Sequence, residues 1–168
     1  MTSDAFKRSL KIHQEKGFFR NLKILRGIER ESLRVTQDGK ISQRKHPENL
    51  GSPLTSEDIT TDFAEALVEL VTPTFESAEE LFQHLSLLHK FLYSEMEEEI
   101  LWNFSMPCAF KNEKEIKIAE YGHTNSGMLK HIYRKGLRLR YGSIMQCVSG
   151  IHFNFSLSKS SWEPLTRN

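Results

Sequence analysis

The sequence predicts an α+β fold, and three stretches carry that reading. From about Leu22 to Val35 the chain alternates as a strand, "MQCVSGIHFNFSL" alternates again, and "SAEELFQHLSLLHKFLYSEMEEE" repeats leucines at helical spacing. With 168 residues and 38% hydrophobic content, the chain is long enough for one globular domain with its own core.

Taken in order, Asp4 is placed to cap a helix running to about Lys16, with Phe6, Leu10 and His13 near one face and Gly17 as its stop. The strand from Leu22 follows, and the Asp-Gly pair in "TQDGK" signals a turn that folds Lys40 to Ser42 back as its hairpin partner. "HPENLGSPLT" reads as a loop through its Pro, Gly and Asn, and it delivers the chain to "DITTDFAEALVELVTPTF". There Glu65 and Glu69 have helical spacing, but the β-branched content of "LVELVTP" favours a strand from Glu69 onward, stopped by Pro73. Ser77 and Glu80 form a capping box for the leucine helix, whose Leu81, Leu85, Leu88 and Leu92 mark a packing face. A second long helix is expected from about Asn125 to Arg140. Met128, Ile132 and Leu139 give it an apolar face, while Lys130, Arg134, Lys135, Arg138 and Arg140 supply positive charge suited to a solvated face or an anion site. In the last strand, Ile151, Phe153, Phe155 and Leu157 take a core face. Gln146, Gly150, His152, Asn154 and Ser156 form a polar row on the other.

Charge and composition exclude several classes. The 23 basic and 22 acidic residues leave a net charge of +1, so no global field recruits nucleic acid or an anionic membrane. The apolar runs are too short and too broken by charge to span a bilayer, and "MTSDAFKRSLKIHQEKG" lacks the apolar core of a signal peptide. A cytoplasmic protein is expected. Cys108 and Cys147 lie far apart with no C-x-x-C, which suits reduced, buried thiols rather than a zinc site or redox pair.

The chemistry starts in "RGIERESLRV". On a strand, Glu29, Glu31, Leu33 and Val35 share one face, and Ile28, Arg30, Ser32 and Arg34 the other. Two neighbouring carboxylates repel and raise each other's pKa unless something positive lies between them, and a divalent cation is the usual remedy. A solvated pair on an open sheet face is the plain alternative. Glu69 is the more informative acid: flanked by Val68, Leu70 and Val71, it is costly to bury unless paired or coordinated. Asp62 sits at the mouth of the same strand, and His152 lines up with Asn154 and Gln146 opposite an apolar face.

Together "RGIERESLRV", "ITTDFAEALVELVTP", "SMPC", "EYGHTNSGMLKHIYRKGLRLRYG" and "MQCVSGIHFNFSL" resemble the N-terminal portion of proteobacterial glutamate–cysteine ligase, also called γ-glutamylcysteine synthetase. The blocks occur in the family's order through nearly the whole chain. The resemblance implies a glutamine-synthetase-like fold in which a curved, mainly antiparallel sheet forms a funnel, of which this chain would supply half. It implies ATP-dependent joining of the L-glutamate side-chain carboxylate to the L-cysteine amine through a γ-glutamyl phosphate, the first step of glutathione synthesis. Mg²⁺, with Mn²⁺ as a substitute, is the implied cofactor and ATP the co-substrate. Position by position, Glu29, Glu31, Asp62, Glu69 and His152 resemble metal ligands, and Phe63, Tyr133, Leu137, Gln146 and Asn154 resemble the cysteine pocket. Arg134 resembles a catalytic group that holds a carboxylate or phosphate. Another carboxylate–amine ligase on the same fold is disfavoured by those pocket residues.

The family's chains are longer, roughly three typical domains' worth. Residues 1–168 are therefore expected to be the N-terminal portion of a single catalytic domain, with further ligands, phosphate-binding arginines and closing strands supplied elsewhere. The alternative is a non-catalytic module that binds metal or amino acid, or pairs with a complementary C-terminal fragment. An open half-funnel should also expose sheet edges and an apolar flank.

Overall fold

A single long strand, β1 (Ile24–Val35), organises the computed structural model, which describes residues 3–15, 17, 20 and 22–166. A strand β3 (Leu67–Val71) pairs antiparallel along one edge of β1, with Glu31 opposite Glu69 and Leu33 opposite Leu67. On the other edge, β5 (Ile151–Leu157) and β4 (Ile100–Trp102) follow one another, β5 opposite residues 24–30 and β4 opposite residues 33–35. β2 (Ile59–Thr61) extends the sheet beyond β3. Every pairing is antiparallel, as the α+β expectation requires.

The sheet is apolar on both faces, but not in the same places. Ile59, Val68, Leu70 and Leu101 face a helix α2 (Ala78–Glu95), which buries Leu81, Leu88 and Leu92 and keeps Leu85 half-buried. Each fully buried leucine contributes about 1.5–3 kcal/mol. Ser77 caps this helix by accepting from the Glu80 amide, at the predicted position. On the opposite face Leu33, Val35, Phe63, Leu67, Ile116, Ile118, Cys108 and Cys147 make a second core, with Trp102 and Leu137 packed against it. Both cysteines are buried free thiols, and burial pushes Cys147 up to about 12. This core occupies only the C-terminal end of β1. The N-terminal half of the same face is left to polar groups.

Several expectations need correction. The first helix, α1 (Asp4–Glu15), is capped one residue earlier than expected: Ser3 Oγ accepts from the Phe6 amide, so Asp4 is already in the first turn. None of its residues is buried, and Lys16 lies outside the described residues. The expected hairpin partner at residues 40–42 is present, though short: Ile41 bridges Val35, the Thr36 amide donates to Lys40 O and the Ser42 amide to Arg34 O. The other long helix, α3 (Asn125–Tyr141), has its predicted bounds within one residue, but Met128, Ile132 and Leu139 point to solvent. Its inner side is instead Gly127, His131, Arg134 and Leu137, a helical series in which polar contacts replace apolar ones. Gln146 does not extend the last strand: it sits in a 3₁₀ turn at residues 145–147. The apolar side of β5 is not core either, with Ile151, Phe153 and Phe155 at 63%, 58% and 68% exposure. That is the bare apolar flank expected of a half-funnel. A short helix α4 (Lys159–Thr166) follows β5. No helix among the described residues is long and apolar enough to cross a membrane.

Candidate functional site

The carboxylates stand where β1 is held from both edges. Glu29 pairs with Val71 on one side and His152 on the other, and opposed residues of antiparallel strands share a face. Glu29, Glu31, Glu69 and His152 therefore rise from three strands onto the same surface. Asp62 joins them from the turn after β2, where its amide donates to Leu67 O.

Their contacts are specific. His152 Nδ1 lies 3.0 Å from Glu29 Oε2, and Asn154 Nδ2 donates to Glu29 Oε1 at 2.9 Å. The Gly150 amide donates to Glu31 Oε2 at 2.7 Å, while Gly150 O accepts from the Glu31 amide. The hydrogen bond to Glu29 raises the His152 pKa, with the charges of Glu31, Glu29 and Glu69 adding to it. Glu69 moves furthest. Burial first, then the charges of Asp62, Glu31 and Glu29, push its carboxyl up to about 7. Carboxylates that share a face raise one another's pKa, and hard divalent ions prefer such oxygens. As the side chains stand, no group of three or more His, Cys, Asp or Glu among the described residues converges on one point. Glu29 is drawn towards His152 and Asn154, and Glu31 towards Gly150.

The other predicted residues separate. Phe63 is in the core at 1% exposure, so its ring supports the site from beneath rather than lining it. Tyr133 is exposed on α3, with Leu137 one turn on and packed against the core. Asn154 belongs to the carboxylate cluster through Glu29, and Gln146 sits in its turn apart from that strand. Arg134 is engaged within the chain: its Nε donates to Asp62 O, Nη2 lies 3.7 Å from Asp62 Oδ1, and the guanidinium stacks on Tyr121 at 4.7 Å.

Sequence reasoning missed a buried polar network beside the site. Arg34 is wholly buried, its Nη1 donating to both Glu99 oxygens at 3.1 and 2.8 Å and its Nη2 to Arg44 O and Glu65 O. Glu65, 8% exposed, accepts from the amides of His46 and Glu120. The argument applied to Glu69, an acid inside an apolar run, applies equally to Glu65 in "FAEAL" and would have found it.

The described residues thus form a five-strand antiparallel sheet with helices and a row of strand carboxylates on one face, and comparison with known proteins gives its family. The family model for glutamate–cysteine ligase matches residues 8–168. The glutamate–cysteine ligase of Pseudomonas putida strain W619 is 54% identical over 143 residues, covering 85% of this chain and 27% of the relative. That of Pseudoalteromonas translucida is 48% identical over 157 residues, covering 94% and 30%. Among solved structures, glutamate–cysteine ligase from Francisella tularensis in complex with AMP superposes with a TM-score of 0.84 at 44% identity, covering 86% of this chain and 29% of that one. A bifunctional glutathione synthetase from Pasteurella multocida superposes with a TM-score of 0.80 at 36% identity, covering 94% and 20%. The chain belongs to the glutamate–cysteine ligase family. It spans less than a third of the length of these relatives.

Proposed function

We propose that this chain forms one wall of a glutamate–cysteine ligase active site, the N-terminal portion of a single cytoplasmic catalytic domain. The observation that carries the reading is the register that sets Glu29, Glu31, Glu69 and His152 from three strands on one face of the sheet, with the Glu69 carboxyl raised by burial and by the neighbouring acids. In the reaction a γ-carboxylate oxygen of L-glutamate attacks the terminal phosphorus of ATP, ADP leaves, and the L-cysteine amine then displaces phosphate from the acyl carbon, losing a proton. Bound Mg²⁺ or Mn²⁺ would screen the repulsion between carboxylate and triphosphate.

The residues of this chain divide that work. Glu29, Glu31, Asp62 and Glu69 would hold the cation, with His152 the imidazole beside them. Asn154 would orient Glu29, to which it already donates. Tyr133, Leu137 and Gln146 would bound the cysteine side chain, over a floor stiffened by Phe63. Arg134, tied to Asp62, would act on phosphate or carboxylate only by leaving that partner, so its first role is to hold Asp62.

The share of each relative that the chain covers favours a second arrangement, in which this wall acts only with a complementary C-terminal portion. Charge-stabilising groups around a transferring phosphoryl are each worth on the order of a hundredfold in rate, and one wall supplies few of them. The experiment has two arms. Mn²⁺ calorimetry on the chain should give binding that disappears when Glu29, Glu31, Asp62 and Glu69 are replaced by Gln or Asn; binding that survives removes them as ligands. ATP-dependent γ-glutamylcysteine formation should appear when the chain is mixed with the remaining portion of the Pseudomonas putida relative. Absence of activity in that mixture, with both pieces folded, would defeat the ligase reading.

A further inference from the structure

Residues 117–121 cross the corner that carries Asp62 and Phe63, and nearly every polar group there is used to hold them. The Glu65 amide donates to Lys117 O at 2.9 Å, and the Ala119 amide donates to Phe63 O at 3.0 Å. The Glu120 amide donates to Glu65 Oε2 at 2.9 Å, and the Tyr121 hydroxyl reaches Thr61 O at 2.7 Å and Asp62 O at 2.8 Å. The same strap anchors α3. His131 Nδ1 lies 2.8 Å from Ala119 O, and a Cβ on Gly127 would sit 2.3 Å from Tyr121 O, so only glycine lets the helix approach this closely. Arg134 closes the assembly by stacking on Tyr121 while bonding to Asp62 O.

Glu65 is the junction. Its second carboxylate oxygen accepts from the His46 amide at 2.9 Å and its carbonyl accepts from buried Arg34 at 3.0 Å, so one residue ties the 46 loop, the strap and β1 to the Asp62 corner. A buried acid is expensive unless fully bonded, and this one is bonded on both oxygens.

We propose that Glu65 and Tyr121 are positioning residues: through the 117–121 strap they set Asp62 against Glu69 and fix α3, with Tyr133 and Leu137, relative to the carboxylate cluster. This rests on the ligase reading for its consequence, because the cluster must gather a cation. Tyr121 is the sharper probe, since losing its hydroxyl changes no charge.

The test compares Tyr121→Phe and Glu65→Gln with Leu92→Ala, a control in the core on the opposite face of the sheet. Mn²⁺ affinity is measured by calorimetry, thermal midpoint by calorimetric scanning, and amide exchange by mass spectrometry. Both strap variants should weaken Mn²⁺ binding about fivefold or more, the scale of one lost hydrogen bond, whereas the control loses thermal stability with unchanged affinity. Wild-type affinity in both strap variants would overturn the proposal, as would an equal loss in the control. Should the wild-type chain bind no Mn²⁺, the cation reading fails, and exchange decides the strap separately. Faster exchange at Asp62, Ala119 and Glu120 in Tyr121→Phe than in the control supports positioning, and equal exchange overturns it.

Discussion

Replacing Glu69 by Gln should stabilise the cation-free chain at alkaline pH and leave it unchanged in acid. The folded carboxyl keeps its proton to about pH 7 instead of the ordinary 4.5, through burial first and then the charges of Asp62, Glu31 and Glu29. Between those values the folded state holds a proton that the unfolded chain has released, so stability falls as pH rises from 4.5 to about 7 and is level above. At roughly 1.4 kcal/mol per pH unit, the full difference corresponds to about 3 kcal/mol. The partial solvent access of Glu69 reduces the expected figure to about 1–2 kcal/mol. Urea unfolding in a chelator, at a pH near the ordinary carboxylate value and again well above neutrality, measures this directly. The variant should exceed wild type only at the higher pH. Adding Mg²⁺ there should raise wild type towards the variant, since an ion that binds only the folded state stabilises it by mass action. An alkaline midpoint for the variant equal to or below wild type would refute the crowding argument. A Mg²⁺ effect that persists undiminished in the variant would show that the ion binds elsewhere.

Glu99→Ala should cost about 3–5 kcal/mol in urea unfolding, because it strands the wholly buried Arg34 charge; a loss below about 1 kcal/mol would mean the pair is effectively solvated. Replacing Phe153 and Phe155 together by Ser should leave the unfolding midpoint nearly unchanged, since both rings are already exposed. The same change should reduce binding of a hydrophobic dye and self-association in sedimentation; undiminished association would place the sticky surface elsewhere.

What could be read from the sequence was local. β1 and the helix α2 declare themselves by period, Ser77 by its place before the leucines, and the carboxylate surface by the alternation that puts Glu29 and Glu31 on one side. The choice of strand for Glu69 also follows from neighbouring residues alone, and β3 has that form. The failures share a different cause. Met128, Ile132 and Leu139 mark a true helical stripe, and Phe153 and Phe155 a true strand face, but a pattern states that a face is apolar without stating what covers it. Arg34 sits on the face that read as polar, and its burial depends on Glu99 and Glu65, which approach from 65 and 31 residues away. No window of sequence contains such a partnership. Asn154 keeps the predicted polar face beside His152, where the register sets it opposite Gly27 and within reach of Glu29, and it is Gln146, in its own turn, that leaves the row.

The placement of the acids within β1 shows how the strand serves two purposes. Leu33 and Val35 at its C-terminal end are fully buried, Leu33 between β3 and β4 and Val35 between β4 and Ile41, and form a stiff floor. Glu29 lies where β3 and β5 overlap, so its backbone is held from both edges. Beyond that overlap, Gly27 faces Asn154 and Leu25 faces Ser156, and the same surface becomes polar and open. Glu31 stands at the seam. Gly150 takes its amide and gives its own to the carboxylate, and a side chain there would come within 3.1 Å of the His152 ring and 3.5 Å of Glu31. A bare glycine therefore lets the backbone before β5 close against Glu31 while leaving the imidazole beside Glu29. Carboxylates on a loop are free to move apart; here Glu29, Glu31 and Glu69 rise from strands whose backbones are bonded to one another, so the acids that bear on Glu69 are kept on its face of the sheet.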